Sequence, residues 1–264
     1  GGDSAAAADT SAVAVSTGDI PREKTLIIGF EGGPAAAPEQ AGLNPGSMSS
    51  QGHHQVMIES LYYLNYQSGE LIPWLAAEQA TWNEDFTVVT IPLRDGIKWS
   101  DGEPFTAEDI VFTIDMLKAN PTLSFADRVV DVASAEAIDD VTLQITLNKT
   151  DPRFVVNAFG VRIWGAVRIV PKHIWEGQDP NTFTNFDLEK GWPVWTGPYK
   201  LVKATSTEFV FDRRADWWAA ETGFQDLPAP ERIIFVEAGP DERKAAALAA
   251  NEVDGEPSLR IDTF

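Results

Sequence analysis

The sequence contains no cysteine and few basic residues. Without cysteine the chain cannot form disulfides, thiolate zinc sites, iron–sulfur clusters or a cysteine nucleophile. Its 20 Lys and Arg stand against 40 Asp and Glu, which gives a formal net charge of −20. Nucleic acids and anionic lipid surfaces are bound mainly through positive charge, so both classes of partner are disfavoured.

Catalytic and metal-binding signatures are scarce as well. The sequence has no Gly-x-Ser-x-Gly, no His-Glu-x-x-His, no phosphate loop and no dinucleotide fingerprint. His53 and His54 are adjacent, so on a helix or strand their side chains diverge, and no further ligand is suitably spaced. The sequence therefore predicts no metal site, no cofactor and no enzymatic activity.

Nine Trp and 14 Phe are enough to fill the core of one large domain or two small ones. Residues 1–19, by contrast, contain no aromatic residue and only Ala, Ser, Thr, Gly and a few acidic or aliphatic residues. Such a segment buries too little apolar surface to offset the entropy of ordering. We predict a flexible tether over residues 1–22.

Residue patterns predict strands interleaved with helices, a mixed α/β (α+β) chain. A β-branched run at 24–30 indicates a strand, and apolar spacing over 55–66 indicates a helix. Asp95-Gly96 indicates a tight turn, residues 97–99 a short returning strand, and Ser100-Asp101-Gly102 a second turn, so this segment is predicted to form a hairpin. Thr106 is the expected N-cap of a helix that ends at Asn120. Further strands are expected at 86–93, 129–132, 141–147, 200–203, 208–212 and 232–237, and a helix at 240–250.

Six segments occur in an order that closely resembles the family 5 extracytoplasmic solute-binding proteins of ABC importers, which bind peptides, nickel complexes or oligosaccharides. They are KTLIIGFEGGP (24–34), the long segment from GELIPWL to IDMLK (69–118), AIDDVTLQITL (137–147), IVPKHIW (169–175), TGPYKL (196–201) and AALAANEVDG (246–255). The longest segment contains turns and a capped helix and no reactive constellation, so Asp95, Asp101 and Asp109 are interpreted as turn and first-turn residues.

The resemblance implies a periplasmic-binding-protein-like type II lobe that carries an inserted α+β subdomain. Residues 23–51 and 164–258 are expected to form lobe I, and residues 52–163 the insert. Family members are about twice as long. We therefore expect an N-terminal fragment in which the second lobe is absent and residues 259–264 begin the segment that leads towards it.

The function that the resemblance implies is capture of an oligopeptide or oligosaccharide outside the cytoplasmic membrane and delivery to ABC permease subunits by a monomeric protein. An Ala-rich start is typical of a lipoprotein whose acylated cysteine precedes Gly1. The alternatives are a secreted glycan-active enzyme, since 40 acidic residues make accidental carboxylate pairs unavoidable, and a ligand-sensing surface lipoprotein.

Relatives form part of the ligand cleft from the loop after the first strand and from the segment after the capped helix. Carried over, these segments give Glu31, Gly32 and Gly33, and Phe125. Glycine lets a ligand approach the backbone and Glu31 offers an acceptor, although a plain Gly-Gly-Pro turn explains the same residues. Asn44 and Ser47, from the long loop at 34–54, are further candidates.

Tryptophan supplies a second group of candidates, because indole rings stack well on sugar rings. Trp99, Trp217 and Trp218 are expected to pack in the core. The remaining candidates for ligand contact are Trp164, Trp192 and Trp195. For Trp195, which stands where the family usually has Gly before Thr-Gly-Pro-Tyr, core packing is the alternative.

Overall fold

The computed structural model describes residues 15–29, 43–46, 56–161, 165–237 and 239–255. The chain divides into two compact units. The first unit comprises Gly1–Pro38, Leu201–Arg213 and Pro228–Phe264, and the second comprises Glu39–Lys200 and Arg214–Leu227. Both units are therefore assembled from segments that lie far apart in the sequence.

Strands and helices alternate along the described residues, as expected for a mixed α/β chain. The strands are β1 (Thr25–Gly29), β2 (Tyr62–Leu64), β3 (Leu71–Pro73), β4 (Thr81–Trp82), β5 (Val88–Pro92), β6 (Val132–Asp139), β7 (Thr142–Leu147), β8 (Gly160–Val161), β9 (Tyr199–Ala204), β10 (Glu208–Arg213) and β11 (Arg232–Val236). The helices are α1 (Ala107–Ala119), α2 (Phe154–Phe159), α3 (Lys172–Trp175), α4 (Trp218–Glu221) and α5 (Asp241–Ala249).

The first unit is built on a four-stranded sheet in the order β1-β11-β10-β9. β1 runs parallel to β11, and β10 pairs with β11 in antiparallel register. Alternate residues of β1 are buried, which is the pattern of a strand with one face on the core. The core of this unit consists of Ile27, Val210, Ile234, Val236, Ala247 and Val253.

Residues 15–22, which the sequence assigned to a flexible tether, contact this sheet unit. Val15 packs against the core, and the carbonyl of Thr17 accepts a hydrogen bond from Arg232 at 2.6 Å. Arg22 donates to both carboxylate oxygens of Asp254, at 2.7 and 3.0 Å. These partners lie more than 200 residues away, so local composition could not reveal them.

The second unit contains two sheets, one in the order β3-β2-β8 and one in the order β4-β5-β7-β6. Helix α1 packs on β6 and β7 of the larger sheet. The predicted cap of α1 is confirmed as a capping box: the Thr106 amide donates to Asp109 Oδ2 at 2.9 Å, and the Thr106 side chain accepts from the Asp109 amide. The apolar face of α1, with Ile110 and Ile114, is fully buried.

The helix predicted over 55–66 is wrong. Residues 62–64 form β2, which pairs with β3 on one side and with β8 on the other. The Asn65 side chain accepts hydrogen bonds from the amides of Gln67 and Ser68, and the resulting turn folds β3 back onto β2. Strand pairing with two partners thus overrides the helical spacing of the apolar residues.

Of the two turns predicted in the hairpin segment at 95–102, it is the second that closes a hairpin. β5 pairs with β4 and β7, so it is not the partner of residues 97–99. The Trp99 amide donates to the Glu103 carbonyl at 2.9 Å, and the Phe105 amide donates to the Ile97 carbonyl at 3.0 Å. The Ser100-Asp101-Gly102 turn therefore closes this small hairpin.

The predicted lobe boundary at residue 164 does not coincide with a boundary between the compact units. Residues 165–200 belong to the second unit, and two of them are hydrogen-bonded to α1. The Lys172 amide donates to Asp109 Oδ1 at 2.8 Å, and the Val170 amide donates to Thr113 Oγ1 at 3.0 Å. These hydrogen bonds are buried or partly buried, and they hold the start of α3 against α1.

Candidate functional site

Four of the nine predicted ligand residues lie in the described part of the chain, all in the second unit: Asn44, Phe125, Trp192 and Trp195. The other five lie outside the described residues: Glu31, Gly32, Gly33, Ser47 and Trp164. His53 and His54 also lie outside them. The site is therefore built from the four described candidates and their neighbours.

Asn44 is buried, with 3% of its surface exposed, and its amide is fully engaged. Nδ2 donates to the carbonyls of Pro180 and Phe183 at 2.9 and 2.7 Å, and Oδ1 accepts from the Gly46 amide at 2.8 Å. The last of these bonds closes an Asx turn over residues 44–46. A ligand that contacts the Asn44 amide would have to replace one of these bonds.

Phe183 connects Asn44 to Trp192. While its carbonyl accepts from Asn44, its ring lies edge-on to Trp192, with the centroids 5.4 Å apart and the planes at 84°. Trp175 packs on Phe183 in the same edge-on manner at 4.8 Å. The Lys190 ammonium lies 4.8 Å from the Trp192 ring centroid, within the range of a cation–π contact. Trp192 itself is half-buried.

Phe125 is connected to the same turn through its neighbour Ser124. The Ser124 amide donates to the Gly46 carbonyl at 2.9 Å, which joins the segment before Phe125 to the turn. Phe125 has φ +69°, a left-handed conformation that is strained for a residue with a side chain by about 1–2 kcal/mol. Strain of this kind persists only where the surroundings impose it, and it is concentrated at functional sites.

Arg168 contacts both Phe125 and the turn. Its guanidinium carbon lies 5.2 Å from the Phe125 ring centroid, and Nη1 donates to the Pro45 carbonyl at 3.4 Å. Burial lowers the pKa of Arg168 to about 10. The guanidinium remains charged at neutral pH, so it places a positive charge beside an aromatic ring.

The structure thus brings three of the predicted residues to one place, around the turn at 43–46. We name this cluster the Asn44 surface; its members are Asn44, Phe125, Arg168, Phe183 and Trp192. The last four are half-buried, so each retains some exposed area. Rings and a cation arranged in this way can stack on a flat apolar group and attract a carboxylate.

Trp195 belongs to a different cluster. Only 3% of its surface is exposed, and its amide donates to Ser100 Oγ at 3.3 Å. Buried Arg214 donates to the carbonyls of Trp195, Thr196 and Gly197 at 3.5, 3.3 and 3.0 Å. The carbonyls of residues 195–197 thus all accept hydrogen bonds from the Arg214 guanidinium.

The expectation of core packing for Trp99, Trp217 and Trp218 is confirmed, since each is at most 3% exposed. Asp101 and Asp109 are also used as predicted: Asp101 Oδ1 accepts from the Glu103 amide at 3.2 Å, and Asp109 caps α1. Neither observation gives these residues a role in ligand contact.

Sequence reasoning missed two members of the Asn44 surface. Arg168 is the one charged residue in the apolar run at 165–171, a signal that could have identified it. Phe183 lies in a polar loop without periodicity, and nothing in the sequence connects it to Asn44 or Trp192. Its role depends on a contact across 139 positions of the chain.

Among the described residues, no group of three or more His, Asp or Glu residues is placed to hold a metal ion. None of the helices in the described ranges is long and apolar enough to cross a bilayer.

Comparison with known proteins identifies the family. The family model of bacterial extracellular solute-binding proteins, family 5 middle region, matches residues 70–262. The nickel-binding periplasmic protein of Escherichia coli (strain K12) is 29% identical over 226 residues, which cover 80% of this chain and 39% of that protein.

Solved structures show the same relationship. A periplasmic oligopeptide-binding protein of an oligopeptide ABC transporter from Thermotoga maritima matches with a TM-score of 0.73 at 28% identity, over 88% of this chain and 41% of that one. The same protein with mannohexaose bound matches with a TM-score of 0.72 at 26% identity, over 89% of this chain and 41% of that one.

The chain thus spans about two fifths of the length of these relatives. Its mixed α/β fold is that of a periplasmic-binding-protein-like structure, as the sequence predicted. The family model covers well over half of the chain. The protein belongs to the family 5 bacterial extracellular solute-binding proteins.

Proposed function

We propose that this chain contributes part of the ligand-binding surface of an extracytoplasmic, non-enzymatic solute-binding protein that delivers its ligand to an ABC permease. The observation that carries the proposal is the family match over residues 70–262. Because the chain spans about two fifths of its relatives, the proposal assigns it a portion of the binding surface.

The Asn44 surface is the proposed ligand contact of this chain. Two rings with exposed area, Phe125 and Trp192, are each connected to the turn held by Asn44, Phe125 through Ser124 and Trp192 through Phe183, and Arg168 adds positive charge. An oligopeptide fits this chemistry, because its apolar side chains can pack on the rings and a carboxylate can pair with the guanidinium.

An oligosaccharide is the second candidate ligand. The T. maritima relative has been solved with mannohexaose bound, and the indole of Trp192 suits stacking on a sugar ring. A nickel complex is a third candidate ligand, since the E. coli relative is named as nickel-binding. Closure of two lobes around the ligand would follow the general mechanism of binding proteins, in which ligand stabilises the closed state.

Calorimetry on the native protein tests these assignments. Panels of oligopeptides, oligosaccharides and nickel–amino-acid complexes are titrated into the protein and into its Trp192→Ala and Phe125→Ala variants. We expect one class to bind and both variants to weaken its binding by at least about tenfold, as for buried aromatic contacts. Trp82→Ala is the matched control, because Trp82 is a half-buried Trp of the same unit outside the Asn44 surface.

The proposal has two clear counter-outcomes. Submicromolar binding by residues 1–264 alone would show that the chain encloses its ligand without further segments. Turnover of a chromogenic glycoside or peptide, lost on changing one acidic residue, would show an enzyme. Mass spectrometry of the native protein tests the proposed lipid anchor, which requires an acylated cysteine just before Gly1, and size-exclusion chromatography tests the proposed monomer.

A further inference from the structure

Arg94 is a half-buried cation of the second unit that has no acidic partner. Its Nε–H donates to the Trp74 carbonyl at 2.6 Å. Among the residues that the structure describes, neither Nη1 nor Nη2 of Arg94 has a hydrogen-bond partner, and no carboxylate lies within ion-pair distance of them. Lys98, by contrast, is paired with Glu221 at 3.0 Å. Both terminal nitrogens of Arg94 are therefore free to donate to an acceptor from another molecule.

Aromatic rings surround this guanidinium. Its central carbon lies 3.7 Å from the centroid of the Phe224 ring, which is a close cation–π contact. Phe224 lies edge-on to Trp74, with the centroids 5.2 Å apart, and Trp74 lies edge-on to Tyr63 at 5.3 Å. All four side chains are half-buried, so each of them retains exposed area.

Ile72 adds an exposed aliphatic group to these rings. It stands directly opposite Tyr63 in the register of β2 and β3, so the two side chains lie on one face of the sheet. Ile72 is 38% exposed, and β3 is the edge strand of its sheet. We name Tyr63, Ile72, Trp74, Arg94 and Phe224 the Arg94 patch. It shares no residue with the Asn44 surface.

Two rings of the Arg94 patch are fixed by buried neighbours. The Trp74 indole donates to Glu59 Oε1 at 2.9 Å. Phe224 stacks on Trp218, with the centroids 5.6 Å apart and the planes at 14°, and the fully buried Trp218 donates to Glu59 Oε2 at 2.7 Å. One buried side chain thus orients both indoles. A surface that is ordered in advance loses little side-chain entropy when a partner binds.

The residue types of the Arg94 patch are those that dominate the energy of protein–protein interfaces. Trp, Tyr and Arg are enriched among the residues whose truncation weakens binding most. Burial also lowers the pKa of the Arg94 guanidinium, which shows that the cation is partly desolvated. A carboxylate from a partner would offset that desolvation and would use the two free nitrogens at once.

Exposed acidic residues flank the patch in the sequence and restrict the kind of partner. Asp95 follows Arg94, and Asp226 lies two positions after Phe224; both are exposed, and neither forms an ion pair with another described residue. The complementary segment therefore carries its acid between basic residues. A second copy of this chain is a poor occupant, because chains of net charge −20 repel each other and a symmetric contact would bring the same cation from both copies together.

We propose that the Arg94 patch is a docking surface for a segment of a partner protein that presents a carboxylate beside an apolar side chain, with basic residues on both sides. The carboxylate accepts from Nη1 and Nη2 of Arg94. The apolar side chain packs on Trp74 and Ile72, and the basic residues face Asp95 and Asp226. The proposal needs no ligand at the Asn44 surface, so it is independent of the proposed function.

Nuclear magnetic resonance with a short peptide tests the docking. The capped peptide acetyl-Lys-Phe-Glu-Lys-amide is titrated into the ¹⁵N-labelled native protein, and so is its counterpart with Gln in place of Glu. We expect the glutamate peptide to shift the indole N–H resonance of Trp74, which is assigned with Trp74→Phe. The glutamine peptide is expected to bind at least about tenfold more weakly, because it cannot form charge-assisted hydrogen bonds with the guanidinium.

Two surface substitutions of the same kind locate the bound peptide. Ile72→Glu adds a negative charge within the patch and is expected to weaken binding of the glutamate peptide by at least about tenfold. Ile138→Glu is the matched control, because Ile138 is an exposed isoleucine of the same unit outside the patch, and it is expected to leave binding unchanged. Arg94→Gln should match Ile72→Glu. If Arg94→Gln fails to fold, the exposed Ile72→Glu and the glutamine peptide still decide.

Several results would overturn the proposal. One is that the glutamate peptide does not bind, or binds no better than the glutamine peptide. Another is that Trp192→Ala abolishes binding while Ile72→Glu and Arg94→Gln retain it, which would place the peptide at the Asn44 surface and leave the proposed function intact. A third is that analytical ultracentrifugation shows self-association that Ile72→Glu removes, since a second copy would then cover the patch.

Discussion

The amide nitrogen of Gly197 lies 2.8 Å from the carbonyl oxygen of Met57, and this close approach leaves no space for a side chain at position 197. A Cβ atom on Gly197 would lie 2.3 Å from that oxygen. The glycine of the Thr-Gly-Pro-Tyr motif is therefore explained by backbone packing. It brings the segment after Trp195 directly against the segment that carries Glu59.

Gly197→Ala is expected to destabilise the protein by about 2–4 kcal/mol, because the backbone must separate at a buried hydrogen bond. Gly177→Ala is the matched control. It has φ +82° and no atom near the new Cβ, so it adds only the strain of a left-handed alanine, about 1 kcal/mol. Chemical denaturation measures both. Equal losses of stability in the two variants would contradict the steric explanation.

Asn44→Ala is expected to lower the free energy of unfolding by about 1–3 kcal/mol, because it removes two donors from the buried carbonyls of Pro180 and Phe183. Thermal unfolding of this variant is compared with that of Asn148→Ala, where the side chain is exposed. An unchanged melting temperature in Asn44→Ala would show that the turn at 43–46 does not depend on the amide.

We predict that the contribution of Glu59 to the free energy of unfolding falls as pH rises. Burial is the main cause that raises the pKa of Glu59 from 4.5 to about 7 in the folded protein. Between these two values the unfolded chain releases a proton that the folded protein retains. The contribution is fully present below pH 4.5 and is lost as pH rises through 7, by on the order of 3 kcal/mol.

Denaturation at pH 5 and pH 7.5 measures this loss as the difference between the unsubstituted protein and Glu59→Gln. The comparison cancels the general repulsion within a chain of net charge −20. Glu84→Gln, at an exposed glutamate of the same unit, is the control for the change of net charge. A difference that does not change with pH, or that changes in the opposite direction, would contradict the assignment of a neutral Glu59 at low pH.

We predict a pH dependence of stability of the opposite sign for Asp254, in the first unit. Partial burial opposes ionisation of Asp254, but hydrogen bonds from Arg22 and the Ile27 amide outweigh it and lower its pKa. Its contribution to stability is therefore present above pH 3.8 and is lost as pH falls. Asp254→Asn is expected to destabilise the protein more at pH 7 than at pH 3, as measured by denaturation at both pH values. Asp127→Asn, at an exposed ion pair, is expected to have little effect at either pH.

Much of the fold follows from local sequence. The capped helix α1 was predicted to within a residue, because Thr106, Asp109 and the apolar spacing that follows act within a few turns of one another. The same is true of β10 and β11 in the first unit. The helix predicted over 55–66 failed because β2 is stabilised by partners on both sides, one of which lies almost 100 residues further along the chain.

The candidate site was harder to predict from the sequence than the fold was. The sequence pointed to Asn44, Phe125 and Trp192 separately, from a loop, a resemblance and a residue type. It did not indicate that Arg168 and Phe183 link them, because these contacts join side chains with backbone groups 100 or more positions away.

By itself, the sequence determined the family, the mixed α/β class and the absence of thiol chemistry, since all three depend on residue identity and order. Only the tertiary structure decided that Asn44 connects its turn to the loop that carries Phe183 and that Gly197 must lack a side chain. It also showed that Glu59 is held by two indoles. Each of these depends on contacts between groups that are far apart in the sequence. Such contacts are set by the packing of the folded chain, so the sequence pattern alone does not show them.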